Sequence, residues 1–162
     1  MLPYSWLIPC FPLLSFALII FFTIKKPRLS SLVSIGAVAL SFLFSFIVLV
    51  TVLGNPVTSE FKINWLDLPG FKVEAGMLID PLTAVMLMVV TIVSMLVQIY
   101  SVGYMAGDPR FARYFSFLSL FTFSMLGLVL SNNFFEIFIF WELVGLTSYL
   151  LIGFWFEKKT AS

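Results

Sequence analysis

The stretch from Phe134 to Phe156, FFEIFIFWELVGLTSYLLIGFWF, sets the terms for the whole chain. It is apolar for long enough to cross a bilayer, which takes about 20 residues of helix. Its first half carries one carboxylate, Glu142. An ionised acid at the centre of a membrane helix costs about 3 kcal/mol on insertion scales. A leucine would have avoided that cost. The acid therefore either has a partner or serves to take up and release a proton.

The surrounding composition agrees with a membrane setting. Of 162 residues, 61% are hydrophobic and 10% charged, and the mean hydropathy is +1.11. A soluble domain would carry about 25% charged residues. The expected fold is an all-α integral membrane protein of about five transmembrane helices, with a short β-hairpin in the outer loop between helices 2 and 3. The net charge of +1 says nothing about nucleic acid, there is no basic tail, and no nucleic-acid partner is expected. Histidine is absent and Cys10 is the one cysteine. A His/Cys zinc site, a histidine-ligated haem and an iron–sulfur cluster all need ligands this chain lacks. No metal site is expected, and no intrachain disulfide can form. The N-terminus has neither a basic leader nor a small-residue cleavage pattern and reads as a retained helix.

Three segments follow in order. Residues 1–53 hold helices 1 and 2. The first span, about Leu2 to Ile24, has Pro3, Pro9 and Pro12 in its first half, where kinks are tolerated if neighbours satisfy the freed carbonyls. The basic turn Lys25-Lys26-Pro27-Arg28 leads to a second span, about Leu29 to Leu53. There Ser34, Ala37, Ser41 and Ser45 share one face, a pattern for close helix packing. Residues 54–78 form the outer loop. Phe61, Ile63 and Trp65 alternate with Lys62 and Asn64, Leu68-Pro69-Gly70 turns the chain, and Phe71-Lys72-Val73-Glu74 alternates again. This predicts a hairpin on the membrane surface, with Trp65 at headgroup level.

Residues 79–162 hold helices 3 to 5. Asp80-Pro81 is an N-cap followed by proline at the first helical position of a span from about Asp80 to Gly103. Asp80, Thr83, Leu87, Thr91, Ser94, Gln98 and Ser101 fall on one face of it. That face should meet protein or internal water, by interhelical hydrogen bonds or as the wall of a hydrated path. A second Asp-Pro helix start, Asp108-Pro109, precedes a span from about Arg113 to Leu130, with Ser124, Gly127 and Ser131 in register. The turn Ser131-Asn132-Asn133 is short enough to make helices 4 and 5 antiparallel neighbours.

With five spans, Lys25, Lys26, Arg28, Arg110, Arg113, Lys158 and Lys159 fall on one side. By the positive-inside rule that side is the cytoplasm or its equivalent, and the N-terminus and hairpin lie outside. Glu136 lies near the start of helix 5, where a carboxylate suits the helix N-terminus and can reach water. Glu142 is two turns deep. Gly145 and Tyr149 follow it on the same face, making a notch with a hydroxyl at its far end. None of the nine basic residues lies in the interior of a span. A cationic partner for Glu142 must come from another chain or from residues beyond Ser162. A transport role expects its side chain within a packed bundle, not facing acyl tails or the water boundary.

From about Ser94 onward the chain resembles the antiporter-like subunit L, or chain 5, of proton-pumping NADH:quinone oxidoreductase, respiratory complex I. The resemblance lies in IYSVGYMAGDPRFARYF at Ile99 to Phe115 and in the run from Leu120 to Phe156. WLDLPG at Trp65 to Gly70 and IDPLT at Ile79 to Thr83 also fit. It implies a part in proton translocation, with Glu142 as the titratable group coupled to a lysine on a later, broken helix. Thr91, Ser94, Gln98 and Tyr149 are candidates for a polar path. It also implies other membrane subunits of the complex as partners, quinone as the substrate of the complex, and flavin and iron–sulfur clusters on partner subunits. No cofactor is expected on this chain. The implied setting is multi-pass in a bacterial inner membrane. Three features depart from the family pattern. The family subunit is several times longer, so the chain looks like its N-terminal fragment. Gln98 stands where many members have histidine, and glutamine cannot titrate. Ser131-Asn132-Asn133 stands where an Asp-Asn is common, and Leu143 where glycine is frequent.

Two other functions fit the same residues. One is the large subunit of a multi-subunit sodium/proton antiporter, which shares the fold and the Trp141-Glu142 helix. The GYMAGDPRF and GLTSYLLIGFW runs favour the respiratory subunit. The other is a membrane scaffold in which Glu142 only locks helix packing.

Overall fold

A computed structural model describes residues 7–23, 25–54, 59–104, 107, 111–131 and 134–152, with side chains left undescribed at 23, 27, 59–68, 71–75 and 152. Five α-helices and one hairpin make up the described chain. They are α1 (Leu7–Leu18, continued by a π-helical turn Ile19–Thr23), α2 (Pro27–Gly54), β1 (Ser59–Leu68), β2 (Phe71–Ile79), α3 (Pro81–Tyr104), α4 (Phe111–Leu130) and α5 (Phe134–Ile152). From α2 onward, four helices are long and apolar enough to cross a membrane, and the apolar helix Leu7–Phe22 is shorter. The expected starts at Leu2 and Asp108-Pro109, and the expected end of helix 5 with Glu157-Lys158-Lys159, lie outside the described residues.

Local chemistry sets the element ends. The backbone N–H of Thr83 donates to Asp80 Oδ1 at 2.7 Å, so Asp80 caps α3 as the Asp-Pro pair predicts. The hairpin turns at Pro69-Gly70, where Gly70 has φ 82°, a conformation that favours glycine. β1 and β2 pair antiparallel, from Ser59 opposite Ile79 to Leu68 opposite Phe71. The register slips between Asn64 and Leu66, so Trp65 is the extra residue of a bulge. The expected depth of the Trp65 side chain lies outside the described residues.

Helix α1 shows how a proline is accommodated in this setting. Pro12 has no N–H, so it cannot bond the carbonyl of Ile8 one turn earlier. Ser41 of α2 donates its hydroxyl to that carbonyl at 2.7 Å. The small-residue face of α2 thus packs closely: Ser34, Ser41 and Ser45 are fully buried.

Helix α4 is the hub, packing against α1, α2, α3, α5 and β2. Two apolar clusters surround it. One joins Ile8, Val48, Val52, Ile79, Ala84, Leu87, Val90, Leu126 and Leu130. The other joins Ile19, Phe111, Ala112, Phe115 and Leu118 near the opposite end. Between them, on all four of α1 to α4, the sequence places hydroxyl and amide side chains.

Helix α5 lies against α4 alone among the closely packed pairs. Phe140 sits over Gly127 of α4 so closely that any Cβ there would run into the ring. Phe140 also meets Phe123 edge-on, with centroids 5.7 Å apart.

Candidate functional site

The described residues place the candidate groups in two separate regions. The first is the interior of α1 to α4. Ser34 of α2 donates to Gln98 Oε1 of α3 at 2.6 Å. Ser34 Oγ lies 2.7 Å from Ser119 Oγ of α4, and Ser15 of α1 reaches Ser119 at 2.8 Å. Ser15 also contacts the carbonyl of Pro12 at 3.0 Å. One line of hydroxyls therefore crosses four helices and ends on an amide. All four side chains are buried.

A turn away on the same seam, Thr122 Oγ1 of α4 lies 3.2 Å from Ser94 Oγ of α3. In the other direction Ser101 and Tyr114 lie 3.3 Å apart. Thr91 is fully buried and returns its hydroxyl to the Leu87 carbonyl at 2.8 Å. The polar face read from α3 thus points inward over its length. Sequence reasoning placed Thr91, Ser94 and Gln98 on that face but missed Ser15 and Ser119. Ser34 entered only as part of a packing stripe.

The second region is the outer face of α5. Phe140, Leu143, Val144, Thr147 and Ser148 make up the more covered face of the helix. Glu142 is exposed on the opposite side, with Gly145 beside it and Tyr149 72% exposed. A Cβ on Gly145 would meet nothing within 4 Å, so the notch beside the acid is open. The expectation that Glu142 sits inside a packed bundle is not met by α1 to α5. The four path candidates are also divided. Thr91, Ser94 and Gln98 face the interior, whereas Tyr149 shares the open face of α5.

Glu136 departs from its expected place in water. It is 7% exposed, and its Oε1 accepts the backbone N–H of Gly76 in β2. The hairpin folds over the start of α5, and a bridge between Met77 and Ser131 fixes it to the end of α4. The carboxylate replaces water for a backbone donor that the strand pairing leaves free. Nothing local in the sequence signals this, because the partners are far apart in the chain.

Among the described residues, no group of three or more His, Cys, Asp or Glu side chains is placed to hold a metal ion. The described geometry offers neutral hydrogen-bonding groups inside and one isolated carboxylate outside. The first set can orient dipoles and bind water. The second can exchange a proton or meet a cation.

Comparison with known proteins places these features in context. Residues 65–115 match the family model described as NADH-ubiquinone oxidoreductase (complex I), chain 5 N-terminus. Residues 131–162 match that of the NADH:quinone oxidoreductase/Mrp antiporter transmembrane region. The chain is 43% identical over 166 residues to the chloroplastic NAD(P)H-quinone oxidoreductase subunit 5 of Mesostigma viride, covering 98% of this chain and 26% of that protein. It is 48% identical over 161 residues to F(420)H(2) dehydrogenase subunit L of Methanosarcina mazei, covering 98% of this chain and 23% of that one. The chain thus spans about a quarter of the length of these relatives. Its fold matches a chain of the membrane-bound sulfane sulfur reductase, an archaeal respiratory membrane complex, with a TM-score of 0.77. That match has 18% identity and covers 92% of this chain and 30% of the other.

Proposed function

The chain belongs to the family of antiporter-like membrane subunits that includes chain 5 of complex I, and from that premise we propose that it takes part in proton translocation coupled to electron transfer from NADH to quinone. Glu142 carries the role. It is the acid deepest in a span, and it stands on the open face of α5 with no basic residue in the interior of any span. A carboxylate left facing acyl chains costs about 3 kcal/mol. The open notch at Gly145 gives a cationic side chain room to approach. A charge moving toward or away from Glu142 would change its proton affinity and so drive uptake and release.

In this reading the partners are the other membrane subunits of the complex, and quinone is reduced elsewhere. Flavin and iron–sulfur clusters belong to partner subunits, and this chain has no redox site of its own. The basic residues Lys25, Lys26, Arg28 and Arg113 mark the cytoplasmic side, and the hairpin lies outside. The membrane is the plasma membrane if the source is a bacterium. A second reading, a sodium/proton antiporter subunit, is favoured by the Mrp antiporter in the description of the family that matches residues 131–162. It predicts co-purification without flavin or iron–sulfur proteins.

The test is Glu142→Gln in the full-length subunit of the assembled complex, in sealed vesicles. The rate of proton uptake during quinone reduction should fall by roughly a hundredfold or more, the order for loss of a positioned proton-transfer group. Pumping that survives the change overturns the reading.

A further inference from the structure

The line of hydroxyls across α1 to α4 has a fixed sense that its chemistry makes reversible. Each serine has one proton to give. Ser34 gives its proton to Gln98 Oε1, so Ser119 must give to Ser34 and Ser15 to Ser119. In that sense Gln98 Nε2 is left over. It is buried and has no hydrogen-bond partner, in a side chain only 1% exposed. A half-turn of the amide exchanges its oxygen and nitrogen. Gln98 Nε2 would then donate to Ser34, Ser34 to Ser119, Ser119 to Ser15, and Ser15 to the Pro12 carbonyl that it already reaches at 3.0 Å. The reversed line is equally complete along its length. It leaves Gln98 Oε1 as the orphan instead.

Either way one atom of the Gln98 amide faces a place where the described residues supply no partner. In one sense that place must offer an acceptor, in the other a donor. Water can do both, whereas a metal cation serves only the exposed oxygen and an anion only the exposed nitrogen. The surroundings suit a trapped water. The polar band lies between two apolar clusters, and Ser94 with Thr122 stands one turn from Gln98 on the same seam.

We infer that a buried water binds at Gln98, between its free amide atom and the Ser94–Thr122 pair, and completes a reversible hydrogen-bond line from α1 to α4. A neutral amide passes no net proton, so the line moves a dipole and not a charge. Its two senses differ in direction across the bundle, and the water lets both exist without an unpaired group.

The full-length subunit in its complex gives the test. A density map sharp enough to show ordered waters elsewhere in the membrane arm should show one within hydrogen-bonding distance of both Gln98 and Ser94. An infrared band of an internal water should shift in H2(18)O and be absent in Gln98→Leu. A map that shows other buried waters but none at Gln98 overturns the inference. So does a map in which the free amide atom meets another protein group. An isotope-sensitive band equal in wild type and Gln98→Leu overturns it also. If Gln98→Leu fails to assemble, the wild-type map decides alone.

Discussion

Helices α4 and α5 are neighbours of similar length and apolar character, yet the fold treats them in opposite ways. Half of the α4 span is buried and only 11% of the α5 span. Helix α4 is rich in small hydroxyl residues, Ser116, Ser119, Thr122 and Ser124, all of them buried. Three of these return their protons to carbonyls of their own helix, at 2.6 Å, 2.9 Å and 2.8 Å. The cost of burying a hydroxyl is thus met locally, and the helix can be packed on every side. Helix α5 carries a carboxylate that has no such local acceptor or donor. Apart from Ser45 Oγ and Gln98 Nε2, the buried neutral side chains find partners within the described helices, and the mid-span charge is left on the open side.

The contact between the two helices is where the contrast can be broken most sharply. Gly127 has no room for a side chain beneath Phe140. Gly127→Val should cost about 3 kcal/mol, the upper end for overpacking in a tight contact, because α5 must lift or Phe140 must leave its place. Denaturant or SDS unfolding of the subunit in micelles would measure it. A change below about 1 kcal/mol would mean that α5 is not seated on α4 as described.

A smaller effect separates paired from unpaired hydroxyls inside the bundle. Ser34 and Ser45 are both fully buried on α2, but Ser34 joins Gln98 to Ser119 while Ser45 Oγ has no partner. Ser34→Ala should cost about 1 kcal/mol, near the range seen for hydrogen bonds between membrane helices. Ser45→Ala should be neutral or slightly stabilising, since it removes an orphan. Equal costs in the same unfolding assay would show that burial alone, and not the line of hydroxyls, sets the stability of this face.

What the sequence made legible was local. The Asp80-Pro81 cap, the stop at Gly54, the Pro69-Gly70 turn and the inward face of α3 follow from short-range rules of capping, turns and helical period. The pairing of Ser15 with Ser119 and the capture of the Gly76 N–H by Glu136 do not. These depend on how helices cross and where a hairpin lies, and the partners stand far apart in the chain. The inward turn of Ser41 was readable as a packing stripe. Its bond to the carbonyl freed by Pro12 was foreseen in kind, as a neighbour satisfying a kinked helix, but not in its partner. The face on which Glu142 lies was readable from its period with Gly145 and Tyr149. What that face meets was not, because among the described residues nothing in α1 to α4 covers it.

The last and smallest effect on stability tests that point. Glu142 is exposed, and the described helices bring no cation to it. In the chain of residues 1–162, Glu142→Gln should therefore leave the folding free energy within about 0.5 kcal/mol, as for a surface change that removes no contact. In the full-length protein a cationic partner would reverse this, since removing one member of a buried ion pair strands the other and costs about 3–5 kcal/mol. The difference between the two measurements thus weighs the missing partner directly. A cost of about 1 kcal/mol or more in the short chain, beyond the usual surface range, would place a partner within α1 to α5. A neutral result in both would leave the acid without a partner in the folded protein, and the reading of α5 as half of a charge pair would fail.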